Sequence, residues 1–342
     1  MNEIELGKIE RIKAGLESAT FEELKALFRP EGVENGVMEV DPEKCTHCGL
    51  CIKNCPFGCW ELGKDKVPAM IQQHICFSCS NCMVACPVDA ISMLRPFNVK
   101  NAFFDTDFPE TRMPAEPMNV KGEPDQWNEV EKVIFNRRSV RNYKKDPVPE
   151  PLIRRVLEAG RFSPSGGNQQ PWKFAVVTNP AVIEEIETAC HQFWVGMYEM
   201  FSSDEKVMGL LPTIPVGVFD PRVQWGIRCI AKKELPIFLG APVVIFIGVS
   251  KKMTGPEMHT GICGQNMNLA AASLGLGFCW SNFGSVVNYM PEVMKRLGFD
   301  ETWSVHSTAC IGFPKFKQQG VVARHFRPVT WFRPGSDEPQ LD

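Results

Sequence analysis

What this sequence lacks narrows it first. No apolar run is long enough to cross a bilayer: the longest notable one, Ala241 to Val249, falls far short of the roughly 20 residues a helical span needs. It reads instead as a buried strand. The opening Met-Asn-Glu-Ile-Glu-Leu-Gly-Lys has no apolar export region. A surplus of charge is also missing. Against 40 Asp and Glu stand 37 Lys and Arg, for a formal charge of −3. Lys144-Lys145, Lys232-Lys233 and Lys251-Lys252 are isolated pairs on a solvated surface. This balance makes no electrostatic case for nucleic acid or an anionic membrane. There are only six histidines and no motif places any of them, so no catalytic acid is named. Gly275-Leu-Gly277 lacks the third glycine of a dinucleotide fingerprint and follows a helix rather than a strand, which excludes a Rossmann reading. These absences point to a cytoplasmic protein.

Cysteine is what the chain has in excess. Of its 14 cysteines, nine fall between Cys45 and Cys86, and such clustering in a cytosolic chain argues for metal rather than disulfides. Eight of them form two copies of one pattern. Cys45-x2-Cys48-x2-Cys51-x3-Cys55-Pro56 is followed by Cys76-x2-Cys79-x2-Cys82-x3-Cys86-Pro87. The offset is constant: Cys45 stands to Cys76 as Cys55 stands to Cys86, the mark of an internal duplication. Three thiolates on one tight loop can cap three corners of an iron–sulfur cube. Zinc ribbons instead use two separated Cys-x2-Cys pairs per ion. The spacing resembles the two-cluster bacterial ferredoxins, in which the fourth Cys of each run ligates the other cluster. That resemblance assigns one 4Fe–4S cluster to Cys45, Cys48, Cys51 and Cys86, and the other to Cys76, Cys79, Cys82 and Cys55. Cys59 aligns with Ala90 under the duplication, so its place calls for a small buried residue. His47 and His74 flank the ligands as loop residues.

At 342 residues the chain is long enough for about two domains. Residues 1–37 form an N-terminal segment, read as two short helices over 1–29 with a capping box at Thr20 and Glu23. Residues 38–96 hold the cysteine module. A proline-rich linker over 97–126 wraps along the second domain. That domain spans 127–333, and 334–342 is a polar tail, mobile or draped over a partner.

The second domain opens with two motifs. Arg137-Arg138-Ser139-Val140-Arg141 offers guanidinium forks and a hydroxyl suited to phosphate. Ser163-Pro164-Ser165-Gly166-Gly167-Asn168-Gln169-Gln170-Pro171-Trp172 is a loop whose glycines allow close approach to a flat ligand and whose amides can read a heterocycle edge. Together they resemble the FMN-dependent nitroreductase family over roughly residues 127–333. The resemblance implies an α+β chain: a two-cluster ferredoxin-like module, then a mixed sheet flanked by helices. It implies that Arg137, Arg138, Ser139 and Arg141 hold the FMN phosphate and ribityl chain. Pro164, Ser165, Gly166, Asn168 and Gln170 run along the flavin ring. Trp280, Ser281 and Asn282 reach the flavin, and a basic residue after Gly312-Phe313-Pro314 meets the phosphate. Arg324 is the choice for that role, with Lys315 and Arg327 as rivals. The helix His259 to Leu274, rich in small residues, lies in the dimer interface of the family, and residues 203–235 cover the substrate side of the flavin.

The expectation is thus an enzyme. Two clusters pass single electrons to FMN, which reduces a flat, electron-poor acceptor such as a nitroaromatic or quinone. The donor is a ferredoxin-type protein or NAD(P)H, and FMN sits at a homodimer interface. A reductive dehalogenase or ene-reductase on the same scaffold is one alternative, and an electron-transfer or flavin-handling protein without a small substrate is another.

Overall fold

The computed structural model describes residues 32–71, 75–100, 111–203, 206, 221–318, 320–325, 329–335 and 338–341. The helices expected over 1–29, His74 and Arg327 lie outside these residues, as does most of the 203–220 stretch.

The duplication read from cysteine spacing is also a duplication of backbone. In the first half the helix α1, Leu50–Asn54, follows Gly49 in the left-handed region; in the second, α2, Asn81–Ala85, follows Ser80 in the same conformation. His47 and Ser78, equivalent under the cysteine offset, also share positive φ. The strands cross over between halves. β2 (Val37–Val40) pairs antiparallel with β5 (Ile91–Arg95), and β3 (Trp60–Leu62) pairs with β4 (Pro68–Met70). Met38, Trp60, Ile91 and the buried cysteines Cys51, Cys59, Cys76 and Cys82 form the small core. A further pair, β1 (Gly32–Glu34) with β6 (Asn98–Lys100), carries the module into the first part of the expected linker.

In the second domain the linker meets its partner again: β7, Thr111–Arg112, pairs with β12, Arg324–His325. The central sheet has the order β10–β11–β9–β8, antiparallel throughout, from Gly277–Ser281, Trp303–Gly312, Val243–Ser250 and Trp172–Val177. A parallel bridge from Ser139 to Phe278 adds the arginine motif to the β10 edge and makes the sheet mixed.

The apolar run around Ala241–Val249 becomes β9, covered on both faces as interior strands are. Its side chains divide by the strand's two-residue period. Val244 and Phe246 face α5 (Pro180–Met200) and α6 (Pro221–Ala231), among Ile186, Trp194, Ile227 and Ile230. Val243, Ile245 and Ile247 face α4 (Glu150–Arg161) and α7 (Pro256–Ser273), among Ile153, Val156, Cys263 and Met267.

Among the described residues β8 lies at the sheet edge, with Lys173 and Val176 exposed. Within 203–235, residues 221–231 form α6, whose Ile227 and Ile230 are buried against the core. The polar tail is drawn back into a hairpin, Gln340–Leu341 pairing with Thr330–Trp331.

Glycine has a packing role at one point on α7. A Cβ on Gly264 would lie 1.9 Å from the Trp280 ring, which rests on the bare helix backbone there. Gly264→Ala is therefore expected to destabilise the chain by about 1–3 kcal/mol as Trp280 is displaced. Thermal unfolding of the variant checks this; an unchanged melting temperature would show that the indole has room to move.

Candidate functional site

The arginine motif is delivered by the end of a capped helix. Asn128 accepts from the backbone N–H groups of Val130 and Glu131, and Glu131 returns a bond to the Asn128 N–H, closing a capping box at the start of α3, Glu129–Asn136. Arg137 sits at its C-cap. The chain then runs extended between β10 and residues 313–315. Val140 N–H donates to the Phe278 carbonyl, Lys144 N–H to Phe313, and Lys315 N–H to Asn142. Tyr143, buried, donates its hydroxyl to the Cys310 carbonyl at 2.9 Å.

This clamp gives residues 138–141 two faces, because successive side chains of extended backbone alternate, while Arg137 still belongs to the helix end. Arg137, Arg138 and Val140 line a cavity of about 330 Å³, shared with Asn268, Lys317 and Gln318. Ser139 and Arg141 lie on the other side. Ser139 lies beside Cys279, whose thiol donates to the Trp280 carbonyl at 3.3 Å, and Arg141 places its charge near Cys79 and Cys279. The expected quartet is thus divided, with two members at the cavity.

The cavity is built for an anion. Arg324 approaches Arg137 and Arg138 from the other end of the domain. Burial, with the Arg324 charge beside it, holds Arg137 below the ordinary arginine range. The same causes, with Arg137 added, push Arg138 down to about 10. No ion pair joins any of the three to an acid among the described residues. Arg138 is partly committed: it donates to the carbonyls of Phe135 and Arg137, capping α3, and to that of Gly320. Three buried polar atoms on the wall have no protein partner: Arg138 Nε, Asn268 Oδ1 and Gln318 Oε1. Buried polar groups left unpaired call for a ligand or an ordered water. Val140, Leu276, Phe278 and Phe316 supply apolar wall, so one cavity offers cation, amide and apolar surface together. These residues fit a phosphorylated aromatic group such as FMN.

The glycine loop lies outside this cavity wall. Gly167, Asn168 and Gln170 all take positive φ, and the Gln170 N–H donates to Ser165 Oγ at 2.9 Å. Pro164, Gly166, Asn168 and Gln170 are exposed, and Ser165 is half-buried. The loop is tied to α7, where Asn266 Nδ2 donates to buried Ser163 Oγ at 2.9 Å. Two residues further along the same helix, Asn268 enters the cavity wall. The 280–282 triple also divides. Trp280 packs on Gly264, and Asn282 is exposed with its Oδ1 accepting from Ser307. Ser281 turns inward, its buried hydroxyl donating to the Ile237 carbonyl at 2.6 Å. That hydroxyl is committed to the chain's own backbone.

Of the basic residues weighed for the phosphate, Arg324 lies beside Arg137, while Lys315 lies over the Phe316 ring. Sequence reasoning missed Lys317, Gln318 and Asn268. A signal for Asn268 was present: it follows Gly264 by four residues and precedes Ala271 by three, a polar side chain on the buried face of α7.

In the cysteine module, Cys45, Cys48, Cys51 and Cys86 line one cavity, bringing the crossed fourth ligand to the first triple. Cys55 lies near Cys76, Cys79 and Cys82, and its charge acts on the thiols of Cys79 and Cys82. Each fourth cysteine accepts a backbone bond: Cys59 N–H to Cys55 Sγ at 3.3 Å, and Ala90 N–H to Cys86 Sγ at 3.2 Å, donors and acceptors again equivalent under the duplication. Cys59 is buried as expected. Its thiol donates to the Ile75 carbonyl at 3.3 Å and toward the Phe57 carbonyl at 3.8 Å. Burial pushes Cys51 up to about 11 and raises Cys79 and Cys82. Thiols so placed ionise when metal supplies the compensating charge. Among the described residues, no three His, Cys, Asp or Glu side chains converge as a site for one ion. His47 is exposed, its Nδ1 3.2 Å from the Lys66 carbonyl.

The chain belongs to the nitroreductase family, whose model matches residues 134–313. Two 4Fe-4S binding domain models match residues 37–60 and 73–89, so the chain joins an iron–sulfur module to an oxidoreductase domain. Among similar proteins, an NADH dehydrogenase of Thermus thermophilus is 49% identical over 55 residues, which are 16% of this chain and 27% of that one. A 5,6-dimethylbenzimidazole synthase of Rhodospirillum rubrum is 41% identical over 186 residues, 52% of this chain and 79% of the relative. A Bacteroides fragilis nitroreductase solved with bound FMN is 25% identical, with a TM-score of 0.45, over 62% of this chain and 98% of its own. Among the described residues, no helix is long and apolar enough to cross a membrane.

Proposed function

We propose that the chain is an FMN- and iron–sulfur-dependent oxidoreductase in which two 4Fe–4S clusters relay electrons to FMN for the two-electron reduction of a flat, electron-poor small molecule. The observation that carries this is the meeting of Arg137 and Arg138, with the Arg324 charge close to both and no acid paired to them among the described residues, at a cavity whose wall holds unpaired amide atoms. When bound, the clusters supply single electrons and FMN delivers them as a pair.

The chain's own residues have distinct roles in this reading. Arg137, Lys317 and Arg324 hold the phosphate. Arg138 both caps α3 and closes the cavity. Asn268 and Gln318 offer hydrogen bonds to the cofactor. Ser165, Gly166, Asn168 and Gln170 approach the ring, with Pro164 shaping the loop, and Trp280 and Asn282 border it. A second copy of the chain covers the exposed apolar side chains Val130 (64% exposed) and Ile134 of α3 and Phe162 beside the loop, giving a homodimer with FMN at its interface. The electron donor is a ferredoxin-type protein or NAD(P)H. The unpaired cysteines suit the reducing cytoplasm. Substrate identity rests on the site rather than the scaffold, since one fold hosts unlike reactions. Nitroaromatics and quinones are the first compounds to try.

The test is an anaerobic reductive titration of the purified chain, followed by visible absorbance and EPR, with iron, zinc and FMN quantified. About eight irons and one FMN per chain, with flavin reduced by way of the clusters, are expected. Zinc in place of iron, or a chain that takes up no flavin, would overturn the reading.

A further inference from the structure

The duplicated module has two cysteine sets related by its internal symmetry, and that symmetry is broken just before the fourth cysteine of each run. Asn54 ends α1 and precedes Cys55; its counterpart in the second half, before Cys86, is Ala85. Asn54 is 1% exposed. Its Oδ1 accepts from Asn142 Nδ2 at 3.5 Å and from Gln318 Nε2 at 3.4 Å, both in the nitroreductase domain. Asn142 follows directly on the arginine motif, and Gln318 lines the arginine cavity. One buried amide thus joins a cluster ligand's neighbour to the wall of the FMN site.

Other contacts fall on the same side. Arg141 sets its charge beside Cys79. The loop that carries Cys76 and Cys79 holds Phe97 through Ser78, whose hydroxyl accepts from the Phe97 N–H at 2.7 Å; Phe97 in turn lies 5.3 Å below the guanidinium of Arg222 on α6. The other cluster site faces away. Its cavity is lined only by residues of the module, none beyond Ile91, and Cys48 on its rim is exposed.

We propose that the cluster held by Cys55, Cys76, Cys79 and Cys82 is the flavin-facing one, seated against the arginine cavity by Asn54 as a positioning residue, and that the cluster of Cys45, Cys48, Cys51 and Cys86 is the solvent-facing entry. This rests on the reading of FMN and two clusters given above. Each passage moves one electron from a reduced cluster to the flavin and returns that cluster to its oxidised state. Two passages, with protons from solvent, complete one two-electron reduction, and an external low-potential one-electron donor reloads the entry cluster.

The order is tested in the full chain loaded with iron and FMN and partly reduced anaerobically with dithionite. Microwave-power saturation of the flavin radical reports the nearest paramagnetic cluster. Fast relaxation is expected in the parent chain and in Cys48→Ser, and its loss in Cys79→Ser. Loss in Cys48→Ser with retention in Cys79→Ser would reverse the order and overturn the assignment. A second variant, Asn54→Leu, keeps the shape and removes the acceptor. It is expected to retain all iron and FMN and its melting temperature, yet lose part of the fast relaxation. Unchanged relaxation at full loading would remove Asn54 from the positioning role. A radical that senses neither cluster overturns the relay reading itself, an outcome distinct from a reversed order.

Discussion

Replacing Cys48 with Ser is expected to lower the iron of the purified chain from about eight atoms to about four, with one of two cluster signals lost. Cys48 is an exposed member of the first triple and lines its cavity with Cys45, Cys51 and Cys86. In the proposed assignment none of these four serves the second set. A serine hydroxyl ionises far less readily than a thiol and is a poor ligand for iron in a cube. Reduction of the flavin by a ferredoxin-type protein should slow, while flavin reduced directly with dithionite still reacts with an acceptor. Cys86→Ser makes the crossed ligation testable: it should remove the same signal as Cys48→Ser, although Cys86 lies in the second run. Were Cys86→Ser to remove the signal that Cys82→Ser removes, the crossed assignment would fail. The nitroreductase domain has its own buried core around β9, so it should remain folded in each case.

Arg137→Ala should weaken FMN retention by about 1.5–3 kcal/mol, the worth of a hydrogen bond to a charged group. That is roughly a tenfold to hundredfold rise in Kd. The flavin-free variant should be at least as stable as the parent, because the substitution removes a repulsion with Arg324 and no ion pair is lost. Arg138→Ala should behave differently. It also removes the bonds to the Phe135, Arg137 and Gly320 carbonyls, so the flavin-free protein itself should melt lower. Equilibrium flavin titration with thermal unfolding of the apo chains separates the two. An unchanged Kd for FMN in Arg137→Ala would take Arg137 out of the phosphate site.

The features legible in the sequence were those made by neighbours along the chain. A cysteine triple lies on one loop, so its spacing is already its geometry. The repeat reappears as paired helices, paired positive-φ residues and paired N–H bonds to Cys55 and Cys86. The apolar run near Ala241 became the interior strand β9, as a strand covered on both faces keeps consecutive apolar residues. Within the 280–282 stretch, strand alternation sends Ser281 to the buried face, where its hydroxyl bonds to the Ile237 carbonyl. The bonding partner is far away in sequence, so the side chain's direction was not readable from the motif.

By itself, then, the sequence determined the two cysteine runs, the duplication, the basic motif and the order of the two modules, because local spacing and residue chemistry are enough for these. Only the tertiary structure decided which residues meet. It brought Arg324 to Arg137 across most of the second domain and placed Asn268, Lys317 and Gln318 on the same wall. It turned Arg141 toward Cys79 and Ser281 into the core, and tied Asn54 to Asn142 and Gln318. Convergence of distant side chains follows from the packing of strands and helices against one another, and no local pattern encodes it.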